Sequence, residues 1–392
     1  MKKPLLILTC LLALTANAKP TAGSWVGTWA AAAEFTGKED MPQTTNLTDC
    51  SLRQIVHVSL GGETLRLKLS NEFSSEPVEI KAVYIADATD GVGIDVPTAR
   101  YLAFNGNRSV TIEAGKTVVC DPLSYLLKPL QRLSVTICYG KAPEHATSHR
   151  GSRTTSYIMQ GMSEPQTPFT VSEQVAHWYN IAAIDVLSTG EAIAVLGNSL
   201  TDGRGSTTDA QDRWTDRLAE ALNGEMGVLN LGIGGNCVVR GGLSEPAVKR
   251  FDRDILSQSG VTRVIVFEGI NDVGGSSTAD QTVADLISAY RQFIRKGHEH
   301  GKKVYGATLT PIGQSFYESS VHEATRQAVN EWIRNSGEFD GVIDFDELVR
   351  DPLTPTQLLA GWQSDWLHLN SQGYKAMGEH AAQWLKKQMQ TE

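Results

Sequence analysis

The sequence predicts two architectures in series: an antiparallel β-sandwich, jelly-roll-like, over residues 19–188, then an α/β domain with a five-stranded parallel sheet over 189–392. Three observations predict this. From about Ser24 to Leu187 apolar residues recur at every second position, the period of a half-buried strand. After Thr189-Gly190 short apolar runs alternate with amphipathic segments, the signature of parallel strands joined by helices. The chain has 392 residues, 41% of them hydrophobic, which is enough for two cores.

The first residues, MKKPLLILTCLLALTANA, form a segment of their own. Lys2 and Lys3 precede an apolar run, Leu5 to Ala16, that is short for a bilayer span, and Ala16-Asn17-Ala18 is a small-x-small cleavage signal. The expectation is a secretory signal peptide, residues 1–18, and a secreted or periplasmic protein; a membrane anchor is the rival reading. Cys10 is disfavoured as a lipidation site because bulky Leu11 and Leu12 follow it.

In the sandwich, Val56, Val58 and Leu60 alternate, Gly61-Gly62 follows, and Leu65, Leu67 and Leu69 alternate again, which predicts a hairpin. Val78 to Tyr84, Val110 to Ile112 and Leu133 to Ile137 continue the period. In the second half, strands are expected at Ala192–Leu196, Val228–Leu231, Val264–Phe267, Val304–Thr308 and Val342–Phe345. Helices are expected on the stripe Val283, Leu286, Ile287, Tyr290, Phe293, Ile294, near Glu323–Asn335 and near Ala376–Gln390.

The net charge of −9, without any Lys/Arg-dense run, argues against nucleic acid or an anionic membrane as partner. No stretch of membrane-spanning length remains after the leader. Cys50, Cys120, Cys138 and Cys237 show no CxxC spacing, so a zinc site is not expected. Cys120–Cys138 is the first disulfide to test in an exported chain; buried free thiols are the alternative.

Parallel sheets place ligands at the carboxyl ends of their strands. Gly197-Asn198-Ser199 follows the first strand, NLGIGGN (Asn230 to Asn236) covers the second strand's end, EGIND (Glu268 to Asp272) follows the third, and SDWLHLN (Ser364 to Asn370) lies beyond the fifth. A serine hydroxyl needs a base, which His368 can supply. Asp365, three residues earlier, can fix the imidazole tautomer. The oxyanion formed on an ester carbonyl needs donors aimed in advance, and the candidates are the N–H of Ser199, the N–H of Gly235 and the amide of Asn271. Each part has an ordinary alternative: Ser199 as a helix cap, the glycines as tight turns, Asn271-Asp272 as an Asx-turn, Asp365 and His368 as a surface pair. Four complementary parts on four separate strand ends favour chemistry.

At these residues the sequence resembles the SGNH (GDSL-like) hydrolase superfamily. GNSLTDG resembles its first block, with Asn198 where Asp is common and Ser199 at the nucleophile. NLGIGGN and GIND resemble the blocks that carry the oxyanion-hole residues, here Gly235 and Asn271. DWLH resembles the block of the remaining triad members, Asp365 and His368; Leu369 takes a position that is often Pro. SWVGTWAAA and SLRQIVHVSLGGETLRLKLSN are similar to the leading domain of a two-domain extracytoplasmic subgroup associated with xylan and other polysaccharide breakdown. The resemblance implies a flavodoxin-like α/β/α fold with a five-stranded parallel sheet, a serine esterase acting through an acyl-enzyme, and a carbohydrate (acetylxylan-type) ester as substrate, with neither metal nor organic cofactor. An arylesterase, lipase-like acylhydrolase or thioesterase of the same fold, and a non-catalytic glycan-binding protein, are the alternatives.

Gly232-Ile233-Gly234-Gly235-Asn236-Cys237 lacks the third glycine of a dinucleotide fingerprint. His145 and His149 sit in a polar loop that suits the rim of a cleft better than a metal. His298 and His300 are expected to face solvent. Asp202, Arg204 and Arg240, which follow the strand-end loops, either contact substrate or stabilise those loops.

Overall fold

The computed structural model describes residues 23–391; the predicted signal peptide lies outside them. The N-terminal half folds into antiparallel sheets and the C-terminal half into a five-stranded parallel sheet flanked by helices.

One face of the sandwich centres on Ile181–Ser188 between Ser24–Ala30 and Gly62–Ser70. The other centres on Cys50–His57 and Arg132–Tyr139, with Val78–Asp87 and Ser156–Gln160 outside them. The predicted hairpin around Gly61-Gly62 does not form. Cys50–His57 is buried on both faces, and both its edges are taken, by Arg132–Tyr139 and Ser156–Gln160. With no edge left, Gly62–Ser70 crosses to the opposite sheet and pairs with Ile181–Ser188. Local alternation is the same for a hairpin and for a crossing between sheets, so the period could not separate them.

The Cys120–Cys138 disulfide is also absent; all four described cysteines are buried free thiols. Cys120 packs into the main core against Leu67, whose N–H reaches its Sγ at 3.1 Å. Cys138 points out of the other side of its sheet, into a small cluster with Ala82 and Tyr84. The pleat therefore aims the two thiols into different layers.

The parallel strands are Ala192–Gly197, Gly227–Gly232, Val261–Phe267, Lys303–Ala307 and Gly341–Ile343. The second lies outside the first, and the others follow on the first strand's opposite edge. The last strand is shorter than expected: Asp344 caps a helix, its carboxylate accepting the Glu347 N–H, so Phe345 is already helical. Helices run over Ala279–Glu299, Ser320–Asn335 and Ser371–Thr391, each burying an apolar stripe.

This strand order puts the topological switch between Ala192–Gly197 and Val261–Phe267, where the chain leaves neighbouring strands on opposite faces and opens a crevice. Gly197 is in register with Gly232 on one side and with Phe267 on the other. Ser199, Gly235 and Asn271 thus lie two, three and four residues past aligned positions.

The sandwich is continuous with this sheet through one hydrophobic core. Its strand Ser24–Ala30 lies against the exposed flank of Gly227–Gly232. Val228 donates its N–H to Ser59 Oγ at 2.8 Å, and Gly27 donates to the Ser259 carbonyl at 2.9 Å. Asp216 of the second half binds His57 of the first at 3.0 Å and Arg213 at 3.0 Å. Among the described residues no helix is long and apolar enough to cross a membrane.

Candidate active site

Ser199 opens the four-residue helix Ser199–Asp202. Its neighbour is the cap: Asn198 Oδ1 accepts the Leu200 N–H at 3.1 Å. The serine hydroxyl is therefore released from capping, and its oxygen lies 2.8 Å from His368 Nε2. His368 Nδ1 lies 2.8 Å from Asp365 Oδ2. The turn from Asp365 to His368 is fixed by that same carboxylate, which accepts the N–H groups of Leu367 at 3.1 Å and His368 at 2.8 Å. Ser199, His368 and Asp365 thus form one hydrogen-bonded chain.

Ser199 and His368 are almost wholly buried, while Asp365 is partly exposed. Burial holds the His368 pKa below the ordinary histidine value despite the opposing pull of Asp365, and the Arg204 and Arg153 charges lower it further. At neutral pH the ring is an unprotonated base. Burial raises the Asp365 pKa, but the donors from His368 and Leu367 outweigh it, and the carboxyl ends below its usual value.

The oxyanion candidates gather beside the serine. Gly235 has φ +71°, a backbone conformation that favours glycine, and a Cβ there would press on the exposed Leu243 side chain at 2.9 Å. The N–H groups of Ser199 and Gly235 have no hydrogen-bond partner among the described residues. Asn271 Nδ2 donates to the Asn236 carbonyl at 2.7 Å, and its Oδ1 accepts the Tyr317 hydroxyl at 3.0 Å. Both contacts fix the amide and leave one N–H for the cleft. Asp272 accepts the N–H groups of Val238 and Val239 at 2.7 and 3.1 Å, which ties the loop after the second strand to the end of the third.

Beneath these loops lies a buried network that the sequence did not single out. Arg250 donates to the carbonyls of Gly197 and Leu231 at 3.0 and 2.8 Å, to Asn236 Oδ1 at 2.9 Å and to Asp254 at 3.1 Å. It joins two strand ends to the loop that carries Gly235. Glu268 accepts from Asn198 Nδ2 and from the Gly269 N–H, both at 3.1 Å. An aspartate at 198 would set two carboxyls face to face here, which gives Asn198 a physical reason. Burial raises the Glu268 pKa to about 8.

A consequence for stability follows. An unfolded glutamate loses its proton near 4.5, whereas the folded one keeps it to about 8. Between those values the folded state binds more protons, so this group's contribution makes stability fall as pH rises. Glu268→Gln should therefore gain in Tm over the unmodified chain as pH goes from about 5 to about 8. Thermal unfolding of both proteins across that range checks this; a constant gap would contradict it.

The sandwich supplies the other wall. A cleft of about 300 Å³ is lined by Ser199, His368, Gly235 and Asn271 together with Glu34, Asp40, Arg150, Arg153 and His177. His149, expected on a polar loop, lies instead on the strand Thr147–His149 and is buried. Its Nε2 lies 2.9 Å from Asp202 Oδ1, on the helix that carries Ser199. Burial opposes its charge, but Asp202 and Glu34 raise its pKa above the ordinary value. A Cβ on Gly151 would lie 1.8 Å from Asp202 Oδ2, so the 149–153 loop meets this helix without a gap. Asp202 is thus a loop stabiliser. Arg204 reaches the cleft, and Arg240 pairs with Asp285 at 2.8 Å, on a second chamber of about 370 Å³ beyond Asn271. Arg150 and Arg153 belong to the polar loop around His149 that was expected at the rim of a cleft, and they line it; Glu34 and His177 carried no sequence signal, because antiparallel packing of distant segments brings them here. No group of metal ligands occurs among the described residues.

Residues 195–376 match the model of the GDSL-like lipase/acylhydrolase family. No curated protein matches the sequence. Solved structures similar to the chain include a GDSL-like lipase from Bacteroides thetaiotaomicron, at 18% identity over 50% of this chain and 88% of that one, TM-score 0.39. A carbohydrate acetylesterase family member from Sinorhizobium meliloti is similar at 16% identity over 50% of this chain and 98% of that one, TM-score 0.41. The segment that builds the switch-point crevice and its serine, residues 195–376, is thus a GDSL-like lipase/acylhydrolase domain.

Proposed function

We propose that the chain is an extracytoplasmic serine esterase that removes short acyl groups, acetyl above all, from a carbohydrate. The observation that carries the chemistry is the 2.8 Å contact between Ser199 Oγ and His368 Nε2, with Asp365 behind the ring at 2.8 Å.

Ser199 Oγ attacks the ester carbonyl and passes its proton to His368 Nε2. Asp365 stabilises the imidazolium and holds the tautomer. The carbonyl oxygen, now negative, takes the N–H groups of Ser199 and Gly235 and the Asn271 amide. The tetrahedral adduct collapses, and the departing alkoxide takes the proton from Nε2. Water then attacks the acyl-serine, gives its proton to Nε2, and the serine is regenerated as the acid leaves.

Several features support a sugar ester. The cleft is open and most of its lining residues are charged or polar, and two exposed apolar side chains, Phe316 and Leu243, stand on its wall. An exposed aromatic face beside polar groups suits the apolar face of a pyranose ring. The leader sequence supports export to where polysaccharide is met.

A fluorophosphonate should add its phosphonyl mass to the peptide that holds Ser199, and rates on 4-nitrophenyl esters should fall steadily from acetyl to longer acyl chains. Labelling elsewhere would overturn the nucleophile. A maximum at long chains would replace the acetyl reading by a lipase-like one.

A further inference from the structure

Three arginines line the cleft: Arg150, Arg153 and Arg204. Arg150 is committed, donating from Nε and Nη2 to Glu34 at 3.1 and 2.6 Å, with Nη1 3.8 Å from Asp40. The other two are not. Arg153 has one long contact, Nη2 to Asp202 Oδ2 at 3.5 Å, and its Nε is buried with no partner. Arg204 is more than half exposed, lies 3.8 Å from Asp365 through Nε, and makes no side-chain hydrogen bond among the described residues.

The carboxylates around the cleft are already engaged. Glu34 serves Arg150 and Ser244, Asp202 serves His149, Asp365 serves His368, and Asp40 lies at Arg150. What the cleft lacks is an acceptor for Arg153 and Arg204. The buried Nε is out of a substrate's reach, but the Arg153 side chain is about a third exposed, and the rest of its planar donor fork matches a carboxylate.

Arg153 is also held in place. Thr155 donates its N–H and Oγ1 to Asp209 at 2.6 and 2.8 Å, the Asp209 N–H returns to the Arg153 carbonyl at 3.0 Å, and Gln211 donates to Thr154 Oγ1 at 2.9 Å. This clamp between the two halves presets the donor, which lowers the ordering cost of binding. Both arginines line the same cleft as Ser199 and His368, which places them near the reacting bond.

We propose that Arg153 and Arg204 form a subsite for a carboxylate carried by the ester substrate, so that acidic esters are preferred over neutral ones. This rests on the esterase reading above. The carboxylate can belong to the acyl group or to the alcohol, as in a uronate sugar, and two substrate pairs distinguish these.

The acyl pair is 4-nitrophenyl hydrogen succinate against 4-nitrophenyl butyrate. The alcohol pair is 4-acetoxybenzoate against its methyl ester. Rates are taken at about pH 8, above the titration of His368, and each kcat/KM is divided by the hydroxide rate of that ester. In one pair the acid should be preferred, with the preference falling about tenfold in Arg153→Gln and in Arg204→Gln, and shrinking with added salt. A second readout needs no turnover: calorimetric titration of Ser199→Ala with 4-acetoxybenzoate and with its methyl ester. Acid-selective binding that Arg204→Gln removes supports the subsite even if no ester is hydrolysed, in which case the esterase reading alone fails. Neutral esters turned over with no acid preference in either pair, and equal binding of acid and methyl ester, overturn the subsite and leave the esterase reading standing.

Discussion

Ser199→Ala should lower kcat on 4-nitrophenyl acetate by about 10⁴-fold or more, with the protein still folded. The hydroxyl has one hydrogen-bond partner, His368, and no structural duty. The backbone around it is held by other atoms: the Ser199 carbonyl accepts the N–H groups of Gly203 and Arg204, both at 2.9 Å, and Asn198 does the capping. Alanine suits the first turn of a helix, so the substitution removes the nucleophile and little else. Circular dichroism and thermal unfolding check the fold, and initial rates check the loss. Activity retained within about tenfold would assign the hydrolysis to another group.

Asn271→Ala should cost about 10²- to 10³-fold in kcat with KM little changed, because the amide meets the carbonyl oxygen only as it becomes negative. The substitution also strands the Asn236 carbonyl and the Tyr317 hydroxyl. Two further variants separate these effects. Asn271→Asp keeps an acceptor for Tyr317 but loses the donor, and should be as slow as the alanine variant. Tyr317→Phe keeps the donor and loses only its anchor, and should stay within about tenfold of the unmodified chain. A Tyr317→Phe loss as deep as that of Asn271→Ala would mean that the site depends on positioning through Tyr317 more than on the amide itself.

The meeting of Ser199, the Gly235 loop and the Asp-x-x-His turn was legible because parallel strands all end on one rim. Once the strands were recognised by their apolar runs, the residues just past Gly197, Gly232 and Phe267 had to be neighbours. The same reasoning has no hold on the sandwich. Cys50–His57 and Gly62–Ser70 show an alternation that fits a hairpin, yet each finds all its partners more than forty-five residues away. Cys120 and Cys138 looked equally available for pairing, but they sit on opposite sheets, Cys120 facing the main core and Cys138 the far side of its own sheet.

The chain's own order of residues determined the two architectures and the rim on which Ser199, Asp365, His368, Gly235 and Asn271 meet, since period and strand-end position are local properties. Tertiary structure decided the rest: the buried Arg250 and Glu268 beneath the loops, His149 against Asp202, and the wall with Glu34 and His177. Those placements arise from packing between segments far apart in sequence, where contact depends on sheet register and on which half of the chain covers the edge of the other, and neither leaves a periodic trace.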